Sequence, residues 1–264
     1  MKLTYILGLG HSGSTFLQLI LSRHPNLVGL GEIAMLIDKL KKGTSTADMP
    51  LCSCGEKVGN CEFWGEILPQ IPNNDSVNSY HQVLKLAAEK YPQKTFVDAS
   101  KTLKGFKTYF TENIPENTRL KVIFLVRDFR SWLISVHKTR LRKNRNIRGA
   151  IFEGYRWLIH NLKIYFFLKK HKISYQIVIY EDLVFQHEKS LNAILGYLGE
   201  TDFSLNLVSE AHDIYGNRMK NQASKKSGLY YDHSWMQKSR GFWMNLIFVP
   251  QYKLMNFLYK KVNT

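Results

Sequence analysis

The opening of the chain constrains its fold more than any other stretch. A mostly apolar run at residues 2–7 (KLTYIL) leads into Gly8-Leu9-Gly10-His11-Ser12-Gly13-Ser14-Thr15, and that into the apolar-periodic segment FLQLILSRH. A strand, a glycine-rich turn and a helix in this order gather backbone N–H groups and a helix N-terminus around an anion. Gly8, Gly13 and Thr15 fit the phosphate-binding pattern G-x-x-x-x-G-K-[ST], but Ser14 stands where the lysine belongs. Without that point charge the β- and γ-phosphates of ATP lose their main partner, while a cradle for a phosphate-like anion is kept. Taken alone, the segment also reads as an ordinary Gly/Ser-rich βα turn.

The remaining pattern alternates strands and helices, the mark of an α/β chain. A strand is expected at 4–7 and a helix at 14–23, broken by His24-Pro25-Asn26, then a short strand at 27–30 ending on Gly31-Glu32. Residues 39–78, rich in Gly, Pro, Asn, Ser and Cys, read as an irregular insertion over the mouth of the sheet rather than a separate domain. A helix at 80–90 and a strand at 95–97 follow, leading into Asp98-Ala99-Ser100-Lys101 and a helix through Phe110. Residues 120–126 (LKVIFLV) form a continuous apolar run bounded by charge, as a central parallel strand requires. Helices are expected from Trp132, at 150–171 and at 188–198, with a strand at 175–179. The apolar, aromatic stretch 242–259 is cut in two by Pro250 and reads as core packing, with peripheral membrane contact the alternative. Without internal repeats, the 264 residues read as one domain: a central, mainly parallel sheet flanked by helices in three layers.

Charge is lopsided, with 37 basic against 21 acidic side chains and a net charge of +16. Such a surface suits an anionic partner: a nucleotide, an acidic glycan, nucleic acid or a membrane surface. The first residues read as a core strand rather than a secretory signal, and no apolar run reaches the roughly eighteen residues of a membrane span. With an odd number of cysteines and no disulfide framework, a cytoplasmic protein is expected. Lys138, Arg140, Arg142, Lys143, Arg145 and Arg148 form a basic run that reads as a solvated face or as a funnel for an anionic ligand. No nucleic-acid reading module accompanies it, so no nucleic-acid partner is expected. Cys52, Cys54 and Cys61 could supply three thiolates, with His81 or another residue as a fourth ligand. C-x-C-x₆-C is not a standard zinc spacing, however, so no metal is expected, and whether the cysteines pair or only line a loop stays open.

Beyond the first loop, the chemistry concentrates in Arg127-Asp128-Phe129-Arg130-Ser131-Trp132-Leu133-Ile134-Ser135, directly after the strongest strand. A guanidinium at a strand's C-terminal end and a hydroxyl two helical turns later suit a phosphate monoester in the crevice where open α/β sheets bind nucleotides. Here the chain resembles the P-loop sulfotransferases that use 3′-phosphoadenosine 5′-phosphosulfate (PAPS). That family pairs a G-x-x-[RK]-S-G-T-T loop with an R-D-P-R-x-x-x-x-S segment, matched by GLGHSGST and RDFRSWLIS. His24-Pro25, Gly31-Glu32, Asp98-Ala99-Ser100-Lys101, the Cys52 to Trp64 insertion and the segment His212 to Arg218 resemble the branch containing bacterial and tyrosylprotein enzymes. The motifs span nearly the whole chain, each weak singly and stronger in their common order.

The resemblance implies roles for the matching residues. Gly10, His11, Ser12, Gly13, Ser14 and Thr15 would hold the 5′-phosphosulfate, and Arg127 and Ser135 the 3′-phosphate. Gly216, Asn217 and Arg218 would close over the nucleotide. Glu32 would act as general base on the acceptor and Lys101 would neutralise the leaving phosphate, releasing adenosine 3′,5′-bisphosphate (PAP). The acceptor would be a hydroxyl or amine of a small molecule, glycan or lipid. A sulfuryl group in flight carries less charge than a phosphoryl group, so positioning and a few fixed cations suffice. Two departures stand out. His11 replaces the usual Arg or Lys, turning a permanent cation into a titratable one, and Phe129 replaces the usual proline or glycine. The competing readings are a P-loop small-molecule kinase, which needs the lysine missing at Ser14, and a non-catalytic basic module with an anion site.

Overall fold

The computed structural model describes residues 1–72, 75–111, 114, 117–139, 147–200, 210–216 and 248–262, with the side chains of 137–139 and 147–148 left aside. Its strands are β1 (Lys2–Gly8), β2 (Leu27–Gly31), β3 (Thr95–Lys101), β4 (Arg119–Val126) and β5 (Tyr175–Ile179). They form a parallel sheet in the order β2-β3-β1-β4-β5, flanked by helices. The expected α/β architecture with a central parallel sheet is therefore observed. By compactness the chain divides into two units. One holds the described residues of 1–7, 14–122 and 198–227; the other holds those of 8–13, 123–197 and 228–264.

In the first unit β3 occupies the inner position, pairing with β1 on one side and β2 on the other. The strand that ends at Gly31, just before Glu32, therefore does not adjoin the first strand. β3 is longer than expected and buried along almost its whole length, so it takes the slot where both edges are satisfied, leaving the five-residue β2 outside. The outer edge of β2 is covered instead by Glu210 to His212: Gly29 N–H donates to the Glu210 carbonyl (2.9 Å) and His212 N–H to the Gly29 carbonyl (2.8 Å). Helix α1 (Ser14–Leu21), buried at all eight positions, packs on β2 and β3. Helix α2 (Ile33–Lys41) packs on β3 and on the later helix Ser76–Lys90.

The insertion is less irregular than its composition suggests. It folds as short helical turns at Thr46–Asp48 and Val58–Asn60 and as α3 (Trp64–Ile67), around the fully buried Phe63 and Trp64. It ends in α4 (Ser76–Lys90), which begins four residues earlier than expected because the Asp75 carboxylate accepts from the N–H groups of Val77 and Asn78. Helix α5 (Leu103–Phe110) starts on a Thr102 cap and sends Phe106 and Phe110 edge-on against Tyr5, at 5.1 and 5.6 Å.

In the second unit, β4 is buried from Ile123 to Val126, and α6 (Phe129–Thr139) follows it at once. Asp128 starts that helix by accepting from Arg130 N–H at 2.8 Å. Phe129, which stands where proline or glycine is usual, is a core residue here, with its ring 5.1 Å from Phe248 and 5.0 Å from Tyr252. The remaining helices are α7 (Ile147–Lys170), α8 (Tyr180–Phe185), α9 (His187–Leu198) and α10 (Val249–Val262). Pro250 does not break a helix: it is the second residue of α10, where its missing N–H costs nothing. Residues 242–247 and the side chains of the basic run lie outside the described residues.

Candidate functional site

The second unit supplies the glycine-rich turn and Arg127. Gly8 must lack a side chain, because a Cβ there would sit 2.5 Å from the Leu125 carbonyl oxygen. Gly13 has φ +97° and lies against the Tyr180 ring, which any Cβ would overlap. The turn is pinned by Ser12 N–H to the Leu9 carbonyl (3.2 Å) and by Trp132 Nε1–H to the Gly10 carbonyl (2.7 Å). His11 adopts φ +72°, a left-handed conformation uncommon outside glycine and concentrated at functional sites.

Arg127 is buried and held from four sides. Its Nε donates to Ser131 Oγ (2.9 Å), its Nη1 donates to the His11 carbonyl (3.2 Å), and its guanidinium lies 4.6 Å from the centre of the Tyr180 ring. Its own carbonyl accepts from Trp157 Nε1 at 3.1 Å. Ser131 is anchored in turn on Glu181 Oε1 (2.8 Å), whose other oxygen accepts from Asp128 N–H (3.0 Å). Burial raises the Glu181 carboxyl above its usual value, against the pull of the Asp128 and Ser131 hydrogen bonds. Ser135 Oγ stands 3.4 Å from His11 Nδ1. Arg127 and Ser135, paired from the sequence, thus meet at the same loop residue.

The first unit supplies a second constellation. Glu32 is the residue preceding α2, yet its side chain makes no capping bond to that helix. Capping comes from β3 instead: Ala34 N–H donates to Ser100 Oγ (3.0 Å), and Ile33 N–H to the Asp98 carboxylate. The Glu32 carboxylate is left to pair with Lys101 Nζ, with side chains 12% and 19% exposed. Lys101 itself has φ +56°. Gly216, at φ +143°, closes this group: a Cβ on it would lie 3.4 Å from Thr15 Oγ1 and 3.7 Å from Glu32 Oε1. Ser14 and Thr15 are buried at the start of α1.

Asp98, beneath this group, is completely buried. Desolvation pushes its carboxyl up to about 6, opposed by hydrogen bonds from Ser100 and Tyr80. Asn217 and Arg218 lie outside the described residues. The three cysteines gather around His212, and His81 is not their fourth ligand: its Nε2 meets the Tyr109 carbonyl at 2.9 Å. Tyr180 and Glu181 have no counterpart in the sequence reading. The available signal is positional, a Tyr-Glu-Asp triplet at the C-terminal end of β5 just as Arg127 follows β4.

Neither protein-family models nor curated proteins match the chain. Among solved structures it is similar to the sulfotransferase domain of the olefin synthase of Synechococcus PCC 7002. The TM-score is 0.52 at 19% identity, with 97% of this chain and 94% of that one covered. The sulfotransferase domain from the curacin biosynthetic pathway follows, with a TM-score of 0.50 at 18% identity and coverage of 75% and 74%. The chain has the sulfotransferase fold. Within that fold, the left-handed residues His11 and Lys101 both belong to motifs that the sequence singled out, which residues such as Gln93 and Lys172 do not. No described helix is long and apolar enough to cross a membrane.

Proposed function

We propose that this chain is a PAPS-dependent sulfotransferase of the bacterial and tyrosylprotein type. One observation carries the reading: Glu32 is relieved of helix capping by Asp98 and Ser100, and its carboxylate faces Lys101 and Gly216. A strand-end glutamate with only a structural role would cap α2. In the proposed reaction Glu32 takes the proton of an acceptor hydroxyl or amine as the acceptor atom forms its bond to sulfur. The bond from sulfur to the bridging phosphate oxygen breaks, and Lys101 Nζ neutralises the charge left on PAP. General-base catalysis of this kind contributes roughly 10²–10⁴-fold. Residues Gly10 to Thr15 hold the phosphosulfate, and Arg127 and Ser135 the 3′-phosphate. The reaction needs no metal to generate its nucleophile.

The acceptor is a small molecule, glycan or lipid presenting a hydroxyl or amine. The test is transfer of label from ³⁵S-PAPS to a panel of such acceptors, together with nucleotide-dependent melting. PAP is expected to raise the melting midpoint by mass action. Stabilisation by Mg-ATP that exceeds that by PAP would overturn the reading in favour of a kinase.

A further inference from the structure

Cys52, Cys54, Cys61 and His212 come together in the first unit although 151 residues separate Cys61 from His212. Cys61 Sγ lies 3.6 Å from Cys52 Sγ and 3.7 Å from Cys54 Sγ. His212 Nδ1 lies 3.5 Å from Cys61 Sγ and 4.0 Å from Cys52 Sγ. All four ligand atoms fall within 4.8 Å of one another. A tetrahedron with Zn–S bonds of about 2.3 Å and a Zn–N bond of about 2.0 Å has S···S edges of about 3.8 Å and S···N edges of about 3.5 Å. The three edges that meet at Cys61 match those lengths closely, and every other edge stays within 4.8 Å. Three sulfurs and one imidazole form a soft, closed donor set that favours zinc over magnesium or calcium.

The surrounding backbone is built to hold this arrangement. Cys52 N–H donates to the Glu56 carbonyl and Gly55 N–H to the Cys52 carbonyl, both at 2.9 Å, a tight turn that needs Gly55 at φ +99°. Phe63 stacks on the His212 ring at 4.9 Å, and Trp64 Nε1 donates to the His212 carbonyl. Ser53 bridges the same two segments, donating to the carbonyls of Asp213 (2.9 Å) and Ala211 (2.6 Å) and accepting from Asp213 N–H (2.8 Å).

We propose that Cys52, Cys54, Cys61 and His212 bind one structural zinc ion that fastens the insertion to the segment carrying Gly216. Four residues after His212, that segment sets Gly216 against Thr15 and Glu32. The ion therefore fixes the closing wall of the Glu32 group without touching it. The spacing C-x-C-x₆-C gave no zinc signature because the fourth ligand lies far along the chain.

The test is elemental analysis of the full chain, purified without affinity metals, beside thiol counting by mass spectrometry. About one zinc per chain is expected. Cys54→Ser, at the exposed corner, and His212→Ala are expected to lose most of it while keeping the far-ultraviolet circular dichroism of the wild type. Chelation should lower the wild-type melting midpoint but leave that of Cys54→Ser nearly unchanged. A folded wild-type chain that takes up no zinc under reducing conditions overturns the proposal. So does one isolated with Cys61 in a disulfide, or with iron in place of zinc.

Discussion

If Arg127 grips the 3′-phosphate, removing its side chain must cost PAP a great deal and adenosine 5′-monophosphate very little. Arginine carries five N–H donors. Among the described residues Arg127 commits two of them, to Ser131 and to the His11 carbonyl, so three donors remain for an anion. A charge-assisted hydrogen bond is worth about 1.5–3 kcal/mol. Loss of one such contact weakens binding roughly 10- to 150-fold. The guanidinium is already immobilised against Tyr180 and Ser131, so little ordering cost offsets the gain. Calorimetric titration of wild type and Arg127→Ala with both nucleotides separates this contact from any general damage to the pocket. The wild-type preference for PAP over the monophosphate should collapse in the variant. Arg127→Lys should recover part of it, since it keeps the charge but loses the fork and its bond to Ser131. Equal weakening of both nucleotides by Arg127→Ala would refute the assignment and reduce Arg127 to a scaffold for the loop.

Four further outcomes are expected. Glu32→Gln should lower kcat by roughly 10²–10⁴-fold while PAP affinity stays within about threefold, measured by label transfer and calorimetry. Gly13→Ala forces a Cβ into the Tyr180 ring at φ +97° and should destabilise the chain by about 1–3 kcal/mol, measured by urea unfolding. The carboxyl of Asp98, held at about 6, is protonated more readily in the folded than in the unfolded chain. Stability should therefore fall by up to about 3 kcal/mol as pH rises from about 4 to about 6; Asp98→Asn should abolish that slope in unfolding midpoints measured across the range. His11→Arg restores a permanent cation, so activity that declines with rising pH in the wild type should hold level in the variant, and superimposable pH–rate profiles would remove any charge role for His11.

The glycine-rich turn was legible because its sequence pattern is local. Gly8, Gly13 and Thr15 fall within eight residues between an apolar strand and an apolar-periodic helix, although the groups that bar a Cβ at the two glycines, the Leu125 carbonyl and the Tyr180 ring, lie far along the chain. The buried run of β4 was equally plain, since continuous apolar residues leave few alternatives, and the β-branched end of Tyr175–Ile179 marked that strand. Sheet order was not. The sequence cannot tell that a later strand enters the inner slot beside β1, because that choice depends on which strand buries both edges best. Glu181 was invisible for the same reason. Its part is to hold Ser131 against Arg127, and nothing local marks a glutamate on a six-residue helix for that task.

The motif Asp98-Ala99-Ser100-Lys101 gains a physical meaning that the resemblance alone does not give. Asp98 and Ser100 point one way along β3 and satisfy the first N–H groups of α2, while Lys101, turned into a left-handed conformation, pairs with Glu32. Helices usually recruit an acid or hydroxyl at their own first position for this purpose. Supplying the cap from the neighbouring strand leaves the position before α2 open to a carboxylate with another task. The cost is a buried Asp98 whose charge is desolvated and needs Tyr80 and Ser100 to hold it. A fold that only needed a stable α2 would place the acid at position 32 into the cap and leave Asp98 apolar. Retaining the more expensive arrangement makes sense if the Glu32 carboxylate must stay out of the cap, paired with Lys101 and beneath Gly216.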